Sequence, residues 1–519
     1  MSAPDPDRRE FAARTPVNEN PERVVYRRGF VTRHQVSGWR FIMRRIASGV
    51  ALHDTRMLVD PLRTQTRAVL VGALVLITGL AGCFVFSLIR PGGVAGNDAI
   101  LADRTTSALY VRLGDALHPV LNLTSARLIV GRPDNPTVVK TSEIDQFPRG
   151  NLIGIPGAPE RLVQSTSHDA AWTVCDGVSG PAAGVTLIAG PLTDSGERAR
   201  PLPHNAAILV SGADGPNAGT WLLWDGRRSR IDVNDRAVTG ALGLSTETPR
   251  SRPIAPGLFN AIPEAPPLRA PAIPGAGEPV SYGLPVAAPV GAVVTSFEAD
   301  HTLRHYAVLR EGLQPISPVV AALLRNTDSY GLNQPPRLTP DDVARMPVAR
   351  VIDNDAYPAE RVTLVDADHA PLTCAHWSRP ADATGATVEL RSGVTLPVPD
   401  ELRAVPLVGA GQGTTADRVV LAPGRGYFVT TVGQDGGGRS AQPDGAYFWL
   451  GDTGVRYGLD QEGDQNTAAA LGLTEPPLPI PWSMLSQFAA GPTLSRADAL
   501  LAHDGLAADH RPAAVREFR

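Results

Sequence analysis

The longest unbroken apolar run in the chain is Ala68 to Ile89, AVLVGALVLITGLAGCFVFSLI, with no charge in 22 residues. As a helix it would reach about 33 Å, close to the hydrocarbon thickness of a bilayer. Arg63 and Arg67 precede it, and Arg90 with Pro91 closes it. The pattern predicts one transmembrane helix over 68–89. Upstream, Trp39, Ile42, Met43, Ile46 and Val50 recur at helical spacing, with Arg40 and Arg44 on another face. That spacing predicts a basic amphipathic helix or pair of helices. Residues 1–22 are polar and carry Pro4, Pro6, Pro16 and Pro21, so they form a tail without a core of its own.

Beyond Pro91-Gly92-Gly93 the pattern changes to short strand-like runs punctuated by glycine and proline. Internal similarity is the strongest signal there. Tyr110 to Leu128 (YVRLGDALHPVLNLTSARL) matches Tyr306 to Leu324 (YAVLREGLQPISPVVAALL) at an offset of 196. Tyr110 pairs with Tyr306, Asp115 with Glu311, Pro119 with Pro315 and Leu128 with Leu324. Gly219 to Ile231 likewise resembles Gly445 to Tyr457, aligning Trp221 with Tyr447 and Arg230 with Arg456. Ala241-Leu242-Gly243-Leu244 then matches Ala470-Leu471-Gly472-Leu473, and Pro253-Ile254 matches Pro479-Ile480.

Two copied halves are therefore expected, roughly 100–275 and 285–496. The proline-rich stretch Ile262 to Pro279 should join them as a stiff strap in polyproline conformation. Each half should begin with a strand at Tyr110 or Tyr306. An acid should open the next turn, and a helix of about ten residues should follow Pro119 or Pro315, placing proline in a first turn. Each half should end with an aromatic strand, an Asp/Gly turn and a helix around Ala-Leu-Gly-Leu. The fold class is a single-span membrane protein: a short amphipathic cytoplasmic region, one transmembrane helix, and a large mixed α/β periplasmic domain of repeated units with quasi-two-fold symmetry. The expected parts are 1–67 (cytoplasmic, basic), 68–89 (transmembrane), 92–275 and 276–496 (periplasmic halves) and 497–519 (tail).

Charge gives the segment a direction. Residues 1–67 hold thirteen Arg and seven acids, whereas 91–519 hold 34 basic and 45 acidic residues. Arginine excess keeps a flank cytoplasmic, so the chain reads as a signal anchor with its C-terminal bulk outside. A cleaved signal peptide is the alternative, since Leu80-Ala81-Gly82-Cys83 resembles a lipoprotein box. The long basic lead, and the apolar run continuing past Cys83, argue against it. Arg28, Arg33, Trp39, Arg40, Arg44 and Arg45 are candidate docking residues, either for anionic lipid or for a partner subunit. The basic run abuts the membrane and lacks a recognition fold, so nucleic acid is not an expected partner.

Candidate chemistry is sparse. Lys140 is the single lysine and follows Val139, so the Gly-Lys-[Ser/Thr] of a phosphate loop is absent. Gly409 to Thr414 is glycine-rich but reads as a turn. His301 and His305 stand four apart, the spacing of one helix face, without the Glu of a metalloprotease. Asp366, Asp368, His369, Cys374 and His376 are the densest group of ligand-type side chains. No metal or cofactor is expected. Cys175 and Cys374 lie outside the membrane, where two cysteines suggest one disulfide, with two free buried thiols as the alternative. Closing so long a loop is worth about 4 to 5 kcal/mol in the chain-entropy model.

The run Val24 to Met57, VVYRRGFVTRHQVSGWRFIMRRIASGVALHDTRM, followed by Asp60 to Ala68 and one membrane helix, resembles the EccB family of mycobacterial type VII (ESX) secretion systems. Within the family it leans toward the paralogue tied to iron acquisition. The resemblance implies an inner-membrane core component assembled with an FtsK-like ATPase (EccC), a polytopic subunit (EccD) and a further membrane subunit (EccE). It implies a self-associating periplasmic domain of repeated elements around a central part, and a disulfide that would fall on Cys175 and Cys374. Family members are commonly labelled ATPases, which the missing phosphate loop does not support. Three functions follow for testing: a structural subunit bracing the complex, a nucleotide hydrolase, and a cell-wall-binding module.

Overall fold

The computed structural model describes residues 33–53, 61–89, 93–212, 218–244, 250–411, 415–435, 445–461 and 466–506. The chain forms two compact units, Met1–Gly92 and Gly93–Arg519. In the first, α1 spans Arg33–Leu52 and α2 spans Pro61–Ile89. α2 begins ahead of the apolar run because Pro61 suits a first helical position and the polar residues after it continue the helix. Within it, Thr66–Phe86 is long and apolar enough to cross a membrane.

The second unit is mixed α/β. It opens with β1 (Ile100–Asp103), β2 (Leu109–Leu113), β3 (Ala116–Val120), α3 (Leu123–Val130) and β4 (Thr137–Val139). The first three strands form an antiparallel meander, and β4 returns parallel to β1. α4 (Thr141–Ile144) follows, and β5 (Leu152–Ile153) lies parallel to β3. Next come β6 (Ala170–Gly177), β7 (Gly184–Ala189) and β8 (Arg200–Pro201).

The opening order then recurs. β9 (Ala206–Gly212), β10 (Gly219–Trp224), β11 (Arg227–Ile231), α5 (Arg236–Leu242), β12 (Arg252–Pro253), α6 (Pro256–Ala261) and β13 (Glu264–Leu268) pair as the first set does. So do β14 (Val293–Phe297), β15 (Leu303–Leu309), β16 (Gly312–Ile316), α7 (Pro318–Thr327), β17 (Arg337–Leu338) and α8 (Pro340–Arg345). After β18 (Thr363–Leu364), β19 (Leu372–Arg379), β20 (Thr387–Gly393), β21 (Val405–Pro406) and β22 (Arg418–Val420), the order appears once more. It runs through β23 (Tyr427–Val432), β24 (Tyr447–Leu450), β25 (Val455–Gly458), α9 (Thr467–Leu471), β26 (Leu478–Pro481), α10 (Trp482–Leu485) and β27 (Ala489–Ala490). α11 (Arg496–Ala499) and β28 (Ala502–His503) close the described chain.

Local chemistry accounts for these elements. Gly114-Asp115 and Arg310-Glu311 are two-residue hairpin turns between paired strands. Pro119 and Pro315 therefore lie in β3 and β16, opposite Tyr110 and Tyr306, not in a helical first turn. The helices start later. Asn122 caps α3, and Ser317 caps α7 with Pro318 in its first turn. The Ala-Leu-Gly-Leu helices are α5 and α9, ended by Gly243 and Gly472 in the left-handed region that glycine tolerates. The proline-rich stretch is not one extended strap: Glu264–Leu268 is hydrogen-bonded into a sheet beside β11, and the chain turns at residues 274–277 with Gly275 and Gly277 at positive φ.

Register also revises one alignment. Arg228 faces Leu223 and Arg456 faces Leu450, so Arg228, not Arg230, holds the place of Arg456. Arg228 donates to the carbonyl of Ile262, and Arg456 to that of Phe488 at 3.3 Å. Each guanidinium also lies over an aromatic ring, Phe259 and Trp482 respectively.

At the centre is a seven-stranded sheet in the order β21-β22-β7-β6-β19-β20-β8. Burial on both faces makes β6 a near-continuous apolar strand. One face packs Trp172, Val174, Leu187, Ala375, Trp377 and Leu390 into the largest core. The other packs Cys175, Ile188, Leu372, Cys374 and Val420. Strands from distant parts of the chain interleave here. β8 adds to β20, and β22 adds to β7. Elsewhere β18 adds to β9 and β28 to β5, so residues 502–503 belong to the first sheet.

Candidate functional site

Two places gather the candidate functional residues. The first is α1. Trp39, Ile42, Met43, Ile46 and Val50 are all exposed, Trp39 at 63%. At 100° per residue they form one apolar stripe, with Arg40 and Arg44 beside it and Arg45 on the far flank. Arg33 is the first residue of the helix. Arg28 lies outside the described residues. A helix with an open apolar stripe and an arginine flank suits an anionic membrane surface or an apolar groove on a partner.

The second is the central sheet. β6 and β19 pair antiparallel, with Cys175 directly opposite Cys374 and Trp172 opposite Trp377. The two cysteines are disulfide-bonded and fully buried. This cross-link ties two segments 199 residues apart at the middle of the sheet. Cys83 is free, on the exposed surface of α2.

The sequence-level ligand candidates do not converge. With Cys374 in the disulfide, its thiolate is lost to any metal. His376 is half-buried, and its Nδ1 lies 2.8 Å from Thr173 Oγ1 on β6. Burial, and then the Arg391 guanidinium, push its pKa down to about 4, against a smaller opposing pull from Asp194. His369 instead meets Asp366 at 2.6 Å on the exposed surface. The backbone N–H of Asp368, and then His369, hold the Asp366 carboxyl below its usual range. His301 and His305 are not on a helix. His301 sits in a turn with φ at 65°, and His305 lies in β15. Gly409–Gly411 form a turn, with Gly411 N–H donating to Asp417, and residues 412–414 of that stretch lie outside the described residues.

Sequence reasoning missed Arg391. Its guanidinium is buried and clamps Asp194 and Glu389 beside His376. No local spacing marks it, because Asp194 and Arg391 meet only through the exchange of β8 onto β20.

Residues 28–508 match the family described as "Type VII secretion system ESX-1, transport TM domain B". The chain is 64% identical over 513 residues to the "ESX-3 secretion system ATPase EccB3" of Mycolicibacterium smegmatis, covering 99% of this chain and 98% of that one. It is 63% identical to the protein of the same name in Mycobacterium tuberculosis, covering 98% and 96%. The ESX-5 counterpart in M. tuberculosis is 39% identical, covering 94% of this chain and 96% of that one. Among solved structures, the "EccB3 dimer from the ESX-3 core complex" has 59% identity and a TM-score of 0.70, covering 78% of this chain and 100% of that one. A chain of the "intact ESX-5 inner membrane complex" has 37% identity and a TM-score of 0.72, covering 94% and 98%.

Proposed function

Since this chain belongs to the EccB family of type VII secretion systems, we propose that it is a structural core subunit of an ESX-3-type inner-membrane complex. The observation that carries this is its near end-to-end likeness to subunits solved inside assembled complexes, one of them a dimer. In this reading α2 anchors the chain and α1 docks on the other membrane subunits or on the inner leaflet. The docking residues are Arg28, Arg33, Trp39, Arg40, Arg44 and Arg45. The unit after Gly93 lies in the periplasm, self-associates and braces the assembly. EccC, EccD and EccE are its companions. The arginine-rich flank supports a cytoplasmic N-terminus.

The fourfold recurrence of meander, helix and returning strand supports repeated units, two in each half, around the central sheet. The antiparallel meeting of Cys175 with Cys374 supports a quasi-dyad between halves. The domain limits 1–67, 68–89, 92–275, 276–496 and 497–519 are sequence divisions within this architecture, across which the strands interleave.

Deleting residues 1–60 tests the docking role. Loss of the EccC, EccD and EccE companions from the detergent-extracted complex is expected, and recovery of the intact complex refutes it. The relatives' name motivates a second reading, ATP hydrolysis, although the Gly-Lys-[Ser/Thr] loop is absent. Saturable ATP turnover by the purified chain, abolished by a point substitution, would establish it.

A further inference from the structure

A cavity of about 210 Å³ opens where the central sheet meets α6 and the loop after α10. Its walls include Asp176 from β6, Asp417 just before β22, and Gln487. Asp176 and Gln487 are at least nine-tenths buried, at 7% and 5% exposure. The Gln487 amide is fixed, because its Nε2 donates to the carbonyls of Gly257 (3.0 Å) and Ser483 (2.9 Å). Its Oε1 is left buried without a hydrogen-bond partner. An unsatisfied buried acceptor costs about 1–3 kcal/mol, a cost that a bound cation would relieve.

Two of these oxygens pack close against glycines, where any side chain would collide with them. A Cβ on Gly257 would stand 2.3 Å from Gln487 Oε1, and one on Gly184 would stand 2.5 Å from Asp417 Oδ2. Both glycines line the same cavity. The carboxylates are held by main-chain donors. Ala255 N–H donates to Asp176 Oδ2 (2.7 Å), Val185 N–H to Asp417 Oδ2 (2.7 Å) and Gly411 N–H to Asp417 Oδ1 (2.8 Å). Each of these oxygens keeps a second lone pair. Arg252 interacts with Asp176 and offsets part of its charge, while Asp417 adds a second carboxylate to the cavity wall. Asp417 raises the Asp176 carboxyl further, on top of its burial. Arg252 itself is turned toward the carbonyl of Ala370 at 3.1 Å.

We propose that this cavity binds one hard divalent cation of the calcium class. Asp176, Asp417 and Gln487 Oε1 would be its protein ligands, and water would complete the shell. The donor set is all oxygen and includes two anions, which favours Ca²⁺ over soft or imidazole-seeking metals. Few ligands and an open coordination shell place the affinity at the weak end for such sites, with Kd on the order of 10⁻⁴ to 10⁻³ M. The ion would clasp β6 and α6, early in the chain, to β22 and the loop after α10, late in it. It would therefore stabilise the folded unit by RT ln(1 + [Ca²⁺]/Kd).

The test is calorimetric titration of the detergent-purified full chain, stripped with EDTA, with CaCl₂, alongside melting curves in 10 mM CaCl₂ and in NaCl of matched ionic strength. One saturable Ca²⁺ per chain and a higher Tm in Ca²⁺ are expected. Asp417→Asn, which keeps an acceptor for one of its two amides, should weaken binding at least tenfold and remove the Tm shift. Asp176→Asn should do the same. No saturable heat and no Tm shift in the wild-type chain overturns the proposal, whatever the variants do. So does wild-type affinity in folded Asp417→Asn.

Discussion

His376 makes the central sheet sensitive to acid. Its imidazole sits on β19 against Thr173, and across β20 it faces Glu389 and Arg391, with Asp194 beyond. Burial first, and Arg391 second, lower its pKa from 6.5 to about 4. The neutral form is therefore the native one, and the unfolded chain binds the proton more readily. Stability from this group is complete above the unfolded value of 6.5 and is lost as pH falls toward the folded value of about 4. Integrating between those values, the loss is about 2 kcal/mol by pH 5 and about 3 kcal/mol by pH 4. The perturbation is His376→Gln, which keeps a polar group for Thr173 but does not titrate. The assay is urea unfolding of the detergent-purified chain, followed by tryptophan emission, at pH 7.5 and 5.0. Carboxylates titrate in both proteins, so the quantity of interest is the difference between them. Wild type should lose about 2 kcal/mol more than His376→Gln between the two pH values. Equal losses would refute the argument, since they would mean that the imidazole is protonated in the folded sheet without penalty.

Four further outcomes follow from the packing. Cys175→Ala with Cys374→Ala should lower unfolding stability by about 5 kcal/mol in the chain-entropy model, read as a shifted urea midpoint. The cysteines of the native wild-type chain should resist alkylation, being fully buried and bonded. Asn122→Ala removes the α3 cap to Ser125 N–H and the bond to the Ile155 carbonyl, both buried. It should cost about 1–3 kcal/mol by thermal melting. Gly312→Ala would place a Cβ 2.1 Å from the Pro347 carbonyl oxygen at φ 152°. The strain should cost more than about 2 kcal/mol, visible as a lowered Tm or loss of folded protein.

Much of the local structure was legible. Charge-free apolar residues at bilayer length define the span, because every backbone group in lipid must bond within its own helix. Periodicity placed the stripe on α1, and Ala-Leu-Gly-Leu placed α5 and α9 with their glycine caps. The proline error had a specific cause. Tyr110 to Val120 and Tyr306 to Ile316 are hairpins around two-residue turns, and a proline tolerated in a short strand was read as a helix start.

The sequence by itself determined a helix long and apolar enough to cross a membrane, the basic stripe-bearing helix before it, and the family. Each of these depends on residues near one another in the chain or on similarity along it. Only the tertiary structure decided that β8 joins β20, that β22 joins β7, and that β28 returns to β5. It also decided which groups surround His376 and which residues share a cavity with Asp176. The physical reason is that a strand's alternation specifies which face is buried but not which distant strand supplies its hydrogen-bond partners. That choice is made by the whole core packing at once.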